Sequence, residues 1–526
     1  MPVLTRALET RDLSSGLRAS ILLGLARMGG AAQTDAFDLE RLLRAHLSDP
    51  DRDVAETACA ALGILGRPSS VPDLAQLLLD SDPGRELCAR PSVPDRMRSF
   101  SAYALGLLAR RTTHPDALRY ASHALARAIE NRRQVPLEVR VASLVALGRI
   151  DASGRPEVGS GCECSSNESL ARHLLEVLGD RREETVVRAH VPDALARLCE
   201  HVPAELSETV KKDLLAVLSD GREEDLVRRG CVLALGRIAD ADDQELDRSI
   251  RAALSAVAAK ERSLRGFVSI ALARIGSRSG TGNGSTANAN AILTSFVKRL
   301  GGGNATEVAW SALALGLLGN GLAEAGRTVP DSLRHALRDG LARSATGELV
   351  AAFALAEGLS GDHASLDGIA EKLDDLSGED LGRAGLALGL LGNVEARETL
   401  RDRLEEGRHD PLVLQDLSTA LALLEDRKLV EELTGLLDDC SCASSRVSVA
   451  MALGRSRDPR AVEPLRKLFE DPRSQDLERA CAALSLGALA DPDGRRWSAW
   501  LSSDLNYLAN PASLTSPAAE GILDLP

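Results

Sequence analysis

The chain has 526 residues, of which 27% are charged and 2% aromatic, and a formal net charge of −14. Single hydrophobic cores stop growing well short of this length, so the chain is either several domains or an array of repeats. Twelve aromatic residues in all weigh against a base-stacking surface for single-stranded nucleic acid and against an aromatic cage for a cationic ligand.

Met1 to Leu8 contain Arg6 and no apolar run of signal-peptide length, and they already follow a helical pattern. No later segment approaches the roughly 20 apolar residues that span a bilayer. A soluble, cytoplasmic protein is expected, an expectation that a leader upstream of Met1 would overturn. From there a small residue recurs at the same point of an Ala/Leu-rich helical pattern: Gly24, Gly63, Gly106, Gly148, Ala196, Gly236, Ala273, Gly316, Ala356, Gly389, Ala422, Gly454 and Gly487. Glycine inside a helix costs about 1 kcal/mol relative to alanine. Its repeated use predicts a close approach between helices that a Cβ would prevent.

One unit is legible from Arg457 to Trp497. Val462, Leu465, Leu468 and Phe469 have helical spacing, Asp471-Pro472 ends that helix, and Leu477, Ala480, Cys481, Leu484 and Ala488 lie on one face of a second. Two antiparallel helices per unit, about thirteen times over, predict an all-α solenoid. The last five anchors are spaced by 33, 33, 32 and 33 residues, and earlier units carry longer loops. The expected organisation is therefore N-terminal repeats over 1–275, a flexible Gly/Asn/Ser loop over 276–290, compact acidic repeats over 291–496, and a capping segment and tail over 497–526.

A second ladder supports this register. Arg98, Arg140, Arg188, Arg228, Arg265, Arg446 and Arg479 stand eight residues before their anchors, and Asp180, Asp220, Asp438 and Asp471 stand eight residues before four of these. Shared charge-assisted hydrogen bonds within or between units are expected.

Three irregularities interrupt the array: Asp82–Asp95 with Pro83, Pro91 and Pro94, Ser153–Glu168 with Cys162 and Cys164, and the Gly/Ser/Thr/Asn stretch Gly276–Ala289. Long loops on solenoid edges extend binding surfaces or are tolerated insertions. His190, Pro192, Asp193, Cys199 and His201 cluster in one unit, where Pro192 should bend the second helix and could open a pocket.

Cys59, Cys199, Cys231 and Cys481 fall in helices as small apolar residues, whereas Cys88, Cys162, Cys164, Cys440 and Cys442 fall in loops. Each Cys-x-Cys pair offers two of the four donors a closed zinc site needs. His173 could join Cys162 and Cys164, but a fourth ligand is not evident, and an oxidisable thiol pair is the stronger expectation. No histidine precedes a glutamate, and no phosphate loop, nucleophile elbow or His-Glu-x-x-His helix occurs. No catalytic, cofactor-binding or metal-ligating residue is assigned.

Beyond the last unit, Trp497, Trp500, Leu501, Leu505, Tyr507 and Leu508 are expected to cover its open end. The tail from Asn510 should be extended, with Ile522, Leu523 and Leu525 free to dock, more readily on their own chain than on another.

The run Leu226-Val227-Arg228 followed by Ala234-Leu235-Gly236 resembles HEAT repeats of the kind shared with phycobilisome-lyase proteins. The resemblance spans roughly residues 1–500 and implies a right-handed superhelix with one helix row lining a concave face. It says almost nothing of function, because such repeats serve scaffolds, chaperones, adaptors and a few enzymes. The leading expectation is a non-catalytic scaffold that binds a protein or peptide along that face or the edge loops. The alternative is a bilin-lyase-like enzyme or chaperone acting on a protein substrate, for which no residue carries the activity over. Residues 301–526 hold 37 Asp/Glu against 22 Lys/Arg, which suits a basic partner and disfavours nucleic acid, including the basic, Trp-lined cleft of a HEAT-type DNA glycosylase.

Overall fold

The computed structural model describes residues 1–10, 13–29, 38–152, 166–440, 442–493 and 496–525. Among them all regular structure is helical, and no helix is long and apolar enough to cross a membrane. The pairs run in chain order: α1 Pro2–Leu8 and α2 Ser15–Met28; α3 Leu39–Ala45 and α4 Arg52–Leu65; α5 Val71–Leu78, an extra α6 Asp82–Cys88, and α7 Asp95–Leu108; α8 Pro115–Glu130 and α9 Leu137–Leu147; α10 Asn167–Gly179 and α11 Thr185–Leu198; α12 Ala204–Ser219 and α13 Asp225–Ile238; α14 Glu245–Lys260 and α15 Arg265–Ser277. They continue with α16 Ser285–Leu300 and α17 Ala305–Glu324; α18 Asp331–Arg343 and α19 Gly347–Ser360; α20 Leu366–Leu373 and α21 Gly378–Leu391; α22 Ala396–Glu406 and α23 Pro411–Leu423; α24 Leu429–Asp439 and α25 Ala443–Arg455; α26 Val462–Glu470 and α27 Asp476–Ala490; then α28 Trp497–Ser502. The thirteen pairs match the thirteen anchors.

Two compact units emerge, residues 1–234 with 469–526 and residues 235–468. This division differs from the one expected at 276–290 and 497, because the C-terminal residues fold together with the N-terminal repeats. In the first unit the second helices α27, α2, α4, α7, α9 and α11 lie side by side, and in the second unit α15, α17, α19, α21, α23 and α25 do so. The open flank of α2 is thus covered by α27, at a point where a Cβ on Gly487 would stand 2.6 Å from the Gly24 Cα.

The anchors do the steric work expected of them. A Cβ on Gly63 would lie 2.6 Å from the Cα of Ala104, one on Gly106 2.8 Å from that of Ala146, one on Gly148 2.8 Å from that of Ala194, and one on Gly389 2.5 Å from that of Ala420. Each glycine meets the residue two before the next anchor. That rule corrects two positions. Gly316 meets Ala356, and Gly358 meets the Ala387 carbonyl, so Gly358 and not Ala356 is the packing residue of its repeat. Gly487 meets Gly24, which makes Ala26 the corresponding residue of the first repeat. Gly63→Ala is expected to destabilise the first unit by about 1–3 kcal/mol, since backbone rather than a side-chain tip is in the way. Urea unfolding would measure it, and an unchanged midpoint would contradict this account of the glycines.

The arginine ladder also exists, with partners other than those expected. Arg98, Arg140, Arg188, Arg228, Arg265 and Arg479 each donate Nε to a carbonyl at the end of the first helix of their own repeat, those of Leu78, Ile129, Leu178, Leu218, Ala258 and Phe469. Each thereby caps carbonyls that the helix leaves open. The guanidinium ends then reach into the next repeat: Arg140 grips Glu183 with two nitrogens, Arg188 grips Glu223 at 2.8 and 2.7 Å, and Arg265 grips Glu307. Asp180 and Asp220 instead accept the backbone N–H of Arg182 and Arg222 in their own turns and pair with Arg132 and Arg181 of the preceding repeat.

Two irregular segments prove ordered. In the 82–95 insertion Ser81 caps α6, and the Asp80 carboxylate holds both the Val93 N–H (2.8 Å) and Arg85 (3.0 Å). Cys88 is accordingly buried in a helix, not placed in a loop. The 276–290 segment shrinks to the connection 278–284. Here Gly280 and Gly284 take positive φ, Asp242 accepts from the Gly282 N–H at 2.8 Å, and Asn288 donates to Ala241 O and Asp243, each at 2.8 Å. It is a pinned turn in place of the flexible loop expected. Of the 153–168 loop, residues 153–165 with Cys162 and Cys164 lie outside the described residues, and Ser166 caps α10.

Candidate functional site

Helix geometry places the residues six before, three before and one after each packing residue on one face of the second helix. In the first unit that face is closed. Ser20, Leu23 and Arg27 of α2, Phe100, Tyr103 and Leu107 of α7, Ala142 and Val145 of α9 with Arg149 just beyond it, and His190, Asp193 and Arg197 of α11 are all buried. First helices and neighbouring second helices cover three sides, and the C-terminal segment covers the fourth.

That segment crosses the helix row instead of capping the last repeat. α28 packs on α7, burying Trp497 and Leu501. Arg149 then reads consecutive backbone, donating Nη2 to Leu501 O at 2.5 Å and to Ser503 O at 3.2 Å, and Nε to Trp500 O at 3.3 Å. Arg197 adds Nη2 to Ser503 O at 2.6 Å, and Asp193 holds the Arg197 guanidinium at 3.1 Å. Further on, His190 Nε2 donates to Ala509 O (3.1 Å), the Asn506 amide donates to Leu226 O (2.7 Å), and Tyr103 meets Ser513 (3.5 Å). Burial pushes the His190 imidazole below its usual pKa and the Tyr103 phenol above its own, so both are neutral in place. Beyond Asn510 the chain closes on itself: Ile522 N donates to Ser513 O, and the Asp524 carboxylate accepts from Thr515, Ser516 and Gly521. Ile522 and Leu514 are buried, whereas Tyr507 and Leu508 are exposed.

In the second unit the same positions, apart from the buried Ala352, are at least partly open. They carry Trp310, Leu313 and Leu317 on α17, Ala352, Leu355 and Leu359 on α19, Arg383, Leu386 and Leu390 on α21, Asp416, Thr419 and Leu423 on α23, and Ser448, Met451 and Arg455 on α25. Arginine at the last position in Arg27, Arg149 and Arg197 gives way to leucine in four successive repeats. Leu390 is 39% and Leu423 50% exposed. A cleft of about 680 Å³ on the edge of this unit, lined in part by Val394, Arg397, Arg401 and Asp426, is a seam between repeats, since Arg397 caps Leu424 O at 3.0 Å and Arg401 pairs with Asp426 at 3.0 Å.

Residues 1–90 match the HEAT-repeat family. The helix pairs of that stretch are HEAT repeats, and the later pairs continue the same two-helix pattern. No curated protein matches the chain. Among solved structures, yeast importin-β (Kap95p) is similar at 12% identity, covering 86% of this chain and 62% of its own, with a TM-score of 0.43. The chain therefore spans less than two thirds of that protein. Karyopherin Kap121p bound to the extreme C-terminus of the phosphatase Cdc14p shows 12% identity over 80% of this chain and 46% of its own, TM-score 0.42. An importin-β crystallised in ammonium sulfate shows 14% over 98% and 78%, TM-score 0.38. Likeness at this level carries no residue and no partner across.

The residues singled out in the sequence scatter over this HEAT array. His190 and Asp193 face the C-terminal segment, His201 lies 3.6 Å from Asp151, and Cys199 lies beside Ser207. α11 runs unbroken through Pro192, whose ring lies beside Gly230. Cys59, Cys231 and Cys481 are buried as expected. Cys440 follows the end of α24 and Cys442 immediately precedes α25. The Ser444 hydroxyl at 2.8 Å, then the backbone N–H groups of Ser445 and Ser444, pull the exposed Cys442 thiol down to about 7, while desolvation pushes Cys440 up. Among the described residues no group of three His, Cys, Asp or Glu is arranged to hold a metal ion.

Proposed function

We propose that the chain is a non-catalytic HEAT scaffold that binds a protein or peptide segment along the faces of its second helices. The observation that carries this reading is the face of the first unit, where side chains at repeat spacing bind an irregular stretch of chain through its backbone carbonyls. Arg149, Arg197 and His190 recognise main chain, a mode that accepts varied sequence, and buried apolar contacts from Trp497, Leu501 and Ile522 add area. Here the bound stretch is the chain's own. A face built this way suits extended polypeptide better than a small substrate.

Affinity capture from native extract, followed by crosslinking mass spectrometry, tests the reading. The expected result is one dominant protein crosslinked beside second-helix positions. Crosslinks confined to the outer first helices, or no protein retained at any concentration, would overturn it.

A further inference from the structure

The leucine stripe of the second unit lies in the same register as the face that the C-terminal segment fills in the first. Its chemistry differs in two ways. Where Arg149 and Arg197 grip carbonyls, Leu317, Leu359, Leu390 and Leu423 offer only apolar surface, so an occupant must contribute apolar side chains. Leu317 and Leu359 are half-buried and Leu390 and Leu423 exposed, and apolar surface left open to water in this way marks interaction sites. The surrounding charge is also one-sided: residues 331–439 hold 24 Asp/Glu against 11 Lys/Arg, a net of −13. Asp416 stands on the stripe itself, half-buried, and Glu348 is exposed at the start of α19. Burial pushes the Asp416 carboxyl above its usual range, and the two arginines on the same face, Arg455 and Arg383, oppose that shift without cancelling it, Arg383 being paired with Glu379 as well. They soften the acidic field locally without reversing it.

Resting on the scaffold reading above, we infer that the stripe Leu317–Leu359–Leu390–Leu423 docks an extended segment of a partner protein in which apolar residues alternate with lysine or arginine. Extended chain places alternate side chains on opposite sides, so one set packs on the leucines while the other, on long flexible stems, stands in the acidic field around the stripe. With repeats about 9 Å apart and about 3.3 Å per residue, four repeats are spanned by roughly ten residues. The sequence of the chain's own C-terminal segment does not fit, because residues 497–525 include three acids, Asp504, Glu520 and Asp524, but no lysine or arginine at all.

The probe is a fluorescein-labelled peptide of about twelve alternating Leu and Lys residues, titrated with the full chain by fluorescence anisotropy. Matched peptides with Glu in place of Lys, and with Ser in place of Leu, serve as controls. Binding of the Leu/Lys peptide is expected to exceed both controls, to weaken at about 0.5 M salt, and to fall about tenfold or more in Leu390→Glu/Leu423→Glu. Both leucines are solvent-facing, so the double variant should keep the wild-type melting temperature and circular dichroism. Equal binding by the double variant, equal binding of the Leu/Glu peptide, or no binding of any peptide each overturns the inference. The scaffold reading fails separately, when native-extract crosslinking finds no protein on either unit's second-helix face.

Discussion

Deleting residues 497–525 is expected to lower the melting temperature of the first unit by about 10 °C or more and to strip hydrogen-exchange protection from α7, α9 and α11. Trp497, Leu501, Leu505, Leu514 and Ile522 are buried, and full burial of such side chains stabilises by about 1.5–3 kcal/mol each. Ordering the segment offsets part of that. What remains is enlarged by what the deletion leaves behind. Arg149 and Arg197, with side chains 0% and 8% exposed, would lose the carbonyls to which they donate, and His190 would lose its acceptor. Water can enter to repair these, but the apolar floor of Phe100, Tyr103 and Val145 would then face solvent. Adding residues 497–525 back as a separate peptide should restore protection at the same helices with a saturable dose dependence. If the truncated chain melts like the full one, the segment is an ornament and the binding face has been misassigned.

The architecture was legible because glycine in a helix is expensive and its use at nine of thirteen regularly recurring small positions needs a common cause. The register slipped where two small residues compete: in Ala354-Leu355-Ala356-Glu357-Gly358, either Ala356 or Gly358 fits the pattern, and only the contact with Ala387 decides between them. The arginines were visible by spacing, but their acidic partners were not. Glu183, Glu223 and Glu307 belong to the following repeat, 35 to 43 residues along the chain, whereas the nearby aspartates offered a local answer that satisfies only their own turns. The C-terminal segment was readable as apolar and misplaced by position. One unused signal was present. A helix such as α9, where every residue from Val139 to Leu147 is buried, has no polar side to give to water and therefore calls for cover all round. In Leu390 and Leu423 the same pattern recurs without cover, which is why the open face could be recognised only after the closed one.

Glu357→Gln is expected to raise the stability of the second unit at pH 8.5 by as much as roughly 4 kcal/mol, with little change at pH 4. Glu357 sits on α19 beside the packing glycine Gly358 and is fully buried, and among the described residues neither carboxyl oxygen has a well-aligned hydrogen bond. Burial is the main reason its carboxyl is pushed from the usual 4.5 up to about 8. The Ser365 hydroxyl and the Arg338 guanidinium favour the anion less strongly, and the Asp362 carboxylate opposes it. Arg338 cannot serve Glu357 fully because it lies 3.2 Å from Asp362. The folded chain therefore holds a proton at Glu357 that the unfolded chain releases near pH 4.5. Stability is greatest below that value and is lost as pH rises through about 8. Glutamine keeps the shape and removes the charge, at the cost of an amide whose own hydrogen bonds are poor, so the net gain falls below the full figure. Urea unfolding from pH 4 to 9 would show the wild type losing stability across that range and the variant staying nearly flat. Parallel curves would mean that water or a rotated Ser365 reaches the carboxylate, and that the buried acid costs the repeat nothing.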